Sequence, residues 1–258
     1  VGPMAPQPGY EPLVQAFSGL SSTNGGPDDP PMRSAASMCD QGSGMWVVIG
    51  ALALLQRRHQ TGRGGILQTS LLETALVWNG QKADAYVNEG RLPLRDRSGH
   101  PGFVPYEAFD TQDAPLLICC GNDRLFAKLA AELGRPDWLQ DERFATNRAR
   151  LAHKAALLEQ LQPLLQVRPR AEWIARFEAA GVPCAPIHSV PEALVHPQVR
   201  ALGILAPIAG EDFSLTALPL SIDGQRPLPH AGAPRLGADN AAHGLPVPPR
   251  LKPTQETS

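Results

Sequence analysis

Residues 45–59 read MWVVIGALALLQRRH, and how that stretch is taken decides the fold. From Met45 to Leu55 it is apolar throughout. Arg57, Arg58 and His59 then put basic groups at the negative end of a helix dipole. A helix that is hydrophobic all round belongs in a core, so the stretch predicts a helix buried on nearly every side. Thr61-Gly62-Arg63-Gly64-Gly65 stops it. The apolar run alone is shorter than the ~20 residues that a bilayer span requires.

Upstream lies Ser37-Met38-Cys39-Asp40-Gln41-Gly42-Ser43-Gly44. Asp40 has two compatible readings. Aspartate is a favoured N-cap, and a carboxylate at the positive end of a buried helix is held ionised. In a glycine-rich turn that a substrate can approach closely, an ionised carboxylate can attack an activated acyl group. Cys39 is the cysteine to watch, because it adjoins Asp40. Residues 1–40 are otherwise rich in Gly, Pro and Ser, with a helix-like stretch from Glu11 to Ser18.

Downstream, the pattern predicts a strand from Ile66 to Leu71 and a helix from Leu72 to Glu89. A polar loop runs from Arg91 to Gly102, and within it Ser98-Gly99-His100-Pro101-Gly102 has the make-up of a mobile lid. Strands are expected at 104–109, 116–120, 182–187, 204–208 and 218–222. Helices are expected from Asp123 (as cap) to Leu133 and at 147–165, 170–180 and 191–199. The composition shift near the loop marks a domain boundary. The expected division is 1–97, then a small α+β domain over 98–190, then 191–258, ending in a Pro-rich tail after Arg226. The fold class is α/β.

Apolar residues make up 43% and charged residues 19%, enough for a real core. The net charge of −2 offers no basic footprint for nucleic acid or an anionic membrane. Val1-Gly2-Pro3-Met4 has neither the basic nor the hydrophobic region of a signal peptide, and its lack of an initiator methionine points to a piece of something longer. Cys39, Cys119, Cys120 and Cys184 show no CxxC spacing, so reduced thiols and a cytoplasmic location are expected. The histidines show no metal-ligand spacing, and no metal is expected. No P-loop, GxSxG elbow or dinucleotide fingerprint occurs.

Taken in order, several blocks resemble the family III CoA-transferases. They are Pro8-Gly9-Tyr10-Glu11-Pro12-Leu13, Asp40-Gln41-Gly42-Ser43-Gly44, Thr61-Gly62-Arg63-Gly64, Ser70-Leu71-Leu72-Glu73, His100-Pro101-Gly102-Phe103-Val104-Pro105-Tyr106, Gly121-Asn122-Asp123, Gly181-Val182-Pro183-Cys184-Ala185-Pro186 and Pro234-Arg235-Leu236-Gly237. Their order and spacing carry the likeness up to about residue 240. It implies Asp40 as nucleophile, Gln7, Pro8, Gly9 and Tyr10 beside coenzyme A, and Ser98 to Gly102 as the loop over the active site.

The resemblance further implies an incomplete Rossmann-like large domain with an inserted small domain, in an interlinked homodimer. The chain would begin inside the family's pattern, so that by itself it could be inactive and its Met45–Leu55 helix would have an uncovered side. The implied reaction moves CoA from an acyl-CoA to a small carboxylic acid through aspartyl anhydride and aspartyl-CoA intermediates. An acyl-CoA racemase or epimerase of the same superfamily, or a non-catalytic fragment, are the alternatives. Oxyanion donors are expected in the Gly42–Gly44 turn or the 98–102 loop.

Overall fold

The computed structural model of the chain describes residues 2–228 and 231–246. The chain divides into two compact units, Val1–Ile187 and His188–Ser258. The architecture is mixed α/β, with ten α-helices and two small antiparallel sheets among the described residues.

The first unit opens with four helices. These are α1 (Glu11–Phe17), α2 (Met38–Thr61), α3 (Leu71–Trp78) and α4 (Gly80–Glu89). Helix α2 starts seven residues before the apolar run, so Gly42-Ser43-Gly44 is helical rather than a turn. The stretch 66–70 is extended but lies outside any sheet. A strand needs a neighbour for its backbone groups, and among the described residues the first strand begins only at Tyr106. The segment instead runs back along α2, with Leu67 over Gly50 and the Gly64 carbonyl bonded by Arg57. The expected 72–89 helix breaks at Asn79, whose backbone (φ −91°, ψ 7°) leaves the helical range.

Burial departs most from the expectation at α2. Only Cys39, Gly42 and Ser43 of its 24 residues are buried, while Met45, Val48, Ile49, Leu52 and Leu55 are exposed. Its apolar flank is therefore uncovered in the chain by itself. The helix is also longer than the apolar run suggested: an 18-residue window has mean hydropathy 1.4, long and apolar enough to cross a membrane by length and composition alone. A core helix meets the same test, and α1 and α3 are already packed on the start of α2.

Residues 104–187 build a second layer. Strands β1 (Tyr106–Phe109), β2 (Leu116–Cys119) and β3 (Cys184–Pro186) form an antiparallel sheet in that order, with Ala108 opposite Leu117 and Leu117 opposite Ala185. Strand β1 begins after Pro105, which has no N–H for a ladder. Helices α5 (Asp123–Glu132), α6 (Asn147–Ala152), α7 (Lys154–Leu165) and α8 (Arg170–Ala180) complete it. The predicted 147–165 helix is divided at His153, which leaves helical geometry (φ −117°, ψ 30°). The core joins Leu116 and Ile118 of the sheet to Phe126, Leu129, Trp138, Phe144, Leu157, Leu161 and Phe177. Phe126 stacks on Trp138, and Phe144 meets Trp138 edge-on.

Inside that core sits a fully buried cation. Arg150 donates to the carbonyls of Val104 (2.7 Å) and Phe144 (2.8 Å) and to Asp123 Oδ1 (2.8 Å), with its guanidinium over the Phe126 ring. Asp123 is not the cap of α5, as the sequence suggests. Asn122 is, accepting from the Leu125 amide, which leaves the Asp123 carboxylate to Arg150 and to the Asn147 amide.

In the second unit, the predicted 191–199 helix is two, α9 (Val190–Val195) and α10 (Pro197–Ala201). His196 is extended (ψ 135°) because the residue before a proline disfavours the helical region. Strands β4 (Leu205–Pro207) and β5 (Ser214–Thr216) form a hairpin. The expected 218–222 strand does not form, since β4 takes β5 as partner and Ile222 makes only an isolated bridge to Gln225. Of the Pro-rich tail, residues 229–230 and 247–258 lie outside the described residues.

Arg150→Met should destabilise the fold by about 3 kcal/mol, because it strands the buried Val104 and Phe144 carbonyls and leaves the Asp123 carboxylate to water and the Asn147 amide. Urea unfolding followed by tryptophan fluorescence measures this, and a loss below about 1 kcal/mol, the worth of one ordinary hydrogen bond, would contradict the role given to Arg150.

Candidate functional site

Helix α2 begins with amides that need acceptors, as every helix does. Its N-cap, Ser37, makes no side-chain capping bond. The acceptor comes from α1: Glu11 Oε1 takes the Cys39 amide at 3.1 Å and Oε2 takes the Asp40 amide at 2.6 Å. Gln15 braces it, donating to Glu11 Oε1 (2.7 Å) and accepting from the Ser34 amide (2.8 Å). Glu11 and Gln15 are both buried. Burial raises the Glu11 pKa, but the bonds from Gln15 and from the Asp40 and Cys39 amides outweigh it and hold the carboxyl below its ordinary value.

The consequence for Asp40 is chemical. It is the third residue of α2, not the cap, and it is exposed. Capping is performed by Glu11, so the Asp40 carboxylate is left free at the positive end of the helix. Cys39 beside it is fully buried, and burial, then its hydrogen bond to Glu11, raises its thiol to about 11. A thiol so protonated is no nucleophile.

Close packing fixes the start of α2. A Cβ on Gly42 would lie 2.8 Å from Thr74 Cγ2 and from Trp78 Nε1, so glycine lets α3 approach. Ser43 Oγ and Thr74 Oγ1 are 2.8 Å apart, and Trp78 Nε1 donates to the Met38 carbonyl. Glu11, Gln15, Thr74 and Trp78 were not singled out from the sequence. The one signal was Pro12 just after Glu11, which marks a helix start but not what its first residue bonds.

Gln7, Pro8 and Gly9 line a cavity of about 450 Å³ together with Leu13, Phe17 and Ser70–Leu72. Tyr10, exposed, is the residue before α1. This segment therefore leads directly into Glu11 and is joined to Asp40 through it. The cavity suits a narrow, largely apolar chain, and no cationic side chain lines it.

The 98–102 loop is held by contacts of its own. Gly99 and His100 use their amides on the Asp96 and Tyr106 carbonyls, and the Gly102 amide donates to His100 Nδ1 at 3.0 Å. His100 packs on Phe103 and Tyr106. On either side of the loop, Lys154 pairs with Asp96 (2.5 Å) and with Glu107 (2.9 Å). Burial raises the Glu107 pKa more than Lys154 lowers it. These contacts tie the loop to β1 and α7. Gly42–Gly44 cannot supply oxyanion donors, because those amides are inside the helix. The amides of Met38 and Gln41 are also taken, by Ala36 and Ser37.

A family model for CoA-transferase family III matches residues 1–240. The acetyl-CoA:oxalate CoA-transferase of Acetobacter aceti is 35% identical over 93% of this chain and 62% of its own length. The succinate–glutarate CoA-transferase of Agrobacterium fabrum is 32% identical over 93% of this chain and 61% of its own. The chain thus spans somewhat under two thirds of these relatives. The crystal structure of a CAIB/BAIF family protein from Brucella suis matches with a TM-score of 0.82 at 30% identity, over 95% of this chain and 64% of that one.

Glu11→Gln should cost about 2 kcal/mol at neutral pH, since an amide oxygen cannot replace a carboxylate across two amides. The folded-state pKa is depressed, so this stability is present above the unfolded pKa and is lost as pH falls through the folded one. Urea midpoints of the parent and variant should therefore converge on acidification. A constant gap would show that the carboxylate charge is not what caps α2.

Proposed function

The chain belongs to CoA-transferase family III, and from that premise we propose that it is the nucleophile-bearing part of an enzyme that moves CoA from an acyl-CoA to a free carboxylic acid. The observation that carries the proposal is the free, exposed Asp40 carboxylate at the start of α2, with Glu11 occupied in capping. CoA transfer from an acyl-CoA to another carboxylate is also what the names of the two relatives describe.

The Asp40 carboxylate attacks the thioester carbonyl. The C–S bond breaks, CoA leaves as its thiolate, and an acyl-aspartyl anhydride forms. The thiolate then attacks the aspartyl carbonyl, releasing the first carboxylate and leaving aspartyl-CoA. A second carboxylate attacks that thioester, giving a new anhydride and the thiolate. Attack of the thiolate on the acyl carbonyl yields the new acyl-CoA and restores Asp40. Each linkage replaces one of similar energy, so the cycle consumes no nucleotide triphosphate.

The cavity beside Gln7, Pro8 and Gly9 takes part of the acyl-CoA chain. The 98–102 loop shields the anhydride from water when it closes. The functional state is a homodimer, which the exposed apolar flank of α2 supports. Its location is cytoplasmic, in keeping with four free cysteines. Among the described residues no histidine is bonded to Asp40, and a racemase would need a second acid/base there.

In the full-length natural polypeptide, Asp40→Ala should reduce transfer to background while leaving the thermal midpoint nearly unchanged, because the lost side chain makes no cap. Incubation of the parent with acyl-CoA should add CoA to a peptide containing Asp40 that hydroxylamine releases. Transfer surviving in Asp40→Ala would remove the assignment.

The loop gives a second expectation. A Cβ on Gly102 would meet His100 at 3.4 Å, an ordinary contact, whereas one on Gly99 would press on Asp96 and lie 2.7 Å from Lys154 Nζ. Gly99→Ala should therefore loosen the loop and raise acyl-CoA hydrolysis several-fold relative to transfer, whereas Gly102→Ala should not. Equal ratios in both variants, read from free acid against transferred CoA, would count against a shielding loop.

A further inference from the structure

We propose that the cavity behind the 98–102 loop is a subsite for an anionic group, a carboxylate or a phosphate, held by Lys82 and Arg97. The identity of the molecule carrying that anion rests on the transferase reading; the site itself does not. The cavity measures about 770 Å³ and is walled by Asn24, Lys82, the linker from Pro93 to Arg97, and Gly99–Pro101 of the loop.

Four cationic side chains line it: Lys82, Arg95, Arg97 and Lys154. Two are already committed. Arg95 donates to the carbonyls of Pro27 and Asp29. Lys154 is held between Asp96, the one lining carboxylate, and Glu107. The other two have no bond to a carboxylate or carbonyl among the described residues. Lys82 is partly buried on α4, and burial alone lowers its ammonium pKa, with no neighbouring acid to offset it. A cation drawn from water without a partner is relieved by an incoming anion.

Arg97 carries a separate indication. Its backbone has φ +50°, a region that residues with a Cβ rarely occupy. Its amide donates to the Gly25 carbonyl at 2.9 Å, which fixes the residue in that conformation. Strained backbone is retained where the surroundings over-determine it, and it clusters at ligand clamps. An anion held by Lys82 on α4 and Arg97 in the linker would sit against Gly99–Pro101, so its binding would bear on the position of the loop.

Two sources share this chemistry: a free carboxylic acid and the phosphates of a CoA thioester. Calorimetric titration of the 258-residue chain at low ionic strength, with succinate and with inorganic pyrophosphate, separates them. Saturable binding of succinate alone assigns the site to a carboxylic acid, and of pyrophosphate alone to a phosphate. In either case Lys82→Gln and Arg97→Gln should each weaken binding by about tenfold or more, while Lys82→Arg keeps most of it. Both residues lie outside the packed core, so thermal midpoints should hold. Absence of saturable binding to either probe, or neutral variants that bind like the parent, would overturn the proposal. Because no turnover is read, the outcome is independent of Asp40: Asp40→Ala should bind the anion unchanged, and a failure of the transferase reading would leave this measurement standing.

Discussion

The start of α2 depends on a carboxylate from another helix. Glu11, brought by α1, meets the Cys39 and Asp40 amides, and Gln15 keeps it in place from one turn away. A buried carboxylate is costly unless every oxygen is bonded, and here both oxygens are. This interaction orders the otherwise polar, Gly- and Pro-rich segment between α1 and α2, because Ser34 is tied to the same network. It also releases Asp40 from a structural duty, so its carboxylate is not needed to cap α2.

The second layer uses the same device with the charge reversed. Arg150 is fully buried, and its three nitrogens reach the chain at Val104, Phe144 and Asp123. It thereby fixes where the chain leaves the 98–102 loop for the sheet, since Val104 lies two residues after that loop. Asn147, from the same helix, bonds the Gly102 carbonyl and the Val104 amide. Lys154, from the next helix, pairs with Asp96 before the loop and Glu107 after it. The loop is thus fastened at both ends while its Gly–His–Pro–Gly interior turns on short internal bonds.

The exposed apolar flank of α2 belongs with the chain's coverage of its relatives. The segment matches family III over residues 1–240, yet spans only 62% and 61% of two curated transferases. The helix has the composition of a core helix but is buried only in its first turn and a half. The mixed α/β arrangement is nonetheless that of the Brucella suis structure over 95% of the chain.

Much of this was legible in residue order. The apolar stretch at 45–55, its basic end and the glycine stop specified a long helix. The runs at 104–109 and 116–120 specified two strands joined by a turn, and the ordered motif blocks specified the family and pointed to Asp40. What residue order could not give was which partner each polar group chose. Asp40 and Asp123 both have the local character of N-caps, and neither is one. Glu11 caps the first helix from 29 residues away, and Asn122 caps the second so that Asp123 can meet Arg150. Likewise 66–70 has strand composition but found a helix to lie on, because a strand is defined by a neighbour and not by its own residues. The sequence by itself determined most helices and strands and singled out the Asp40 carboxylate, since periodicity and residue chemistry act over a few positions. Only the tertiary structure decided that this carboxylate is free, because that depends on a second carboxylate arriving from a distant part of the chain.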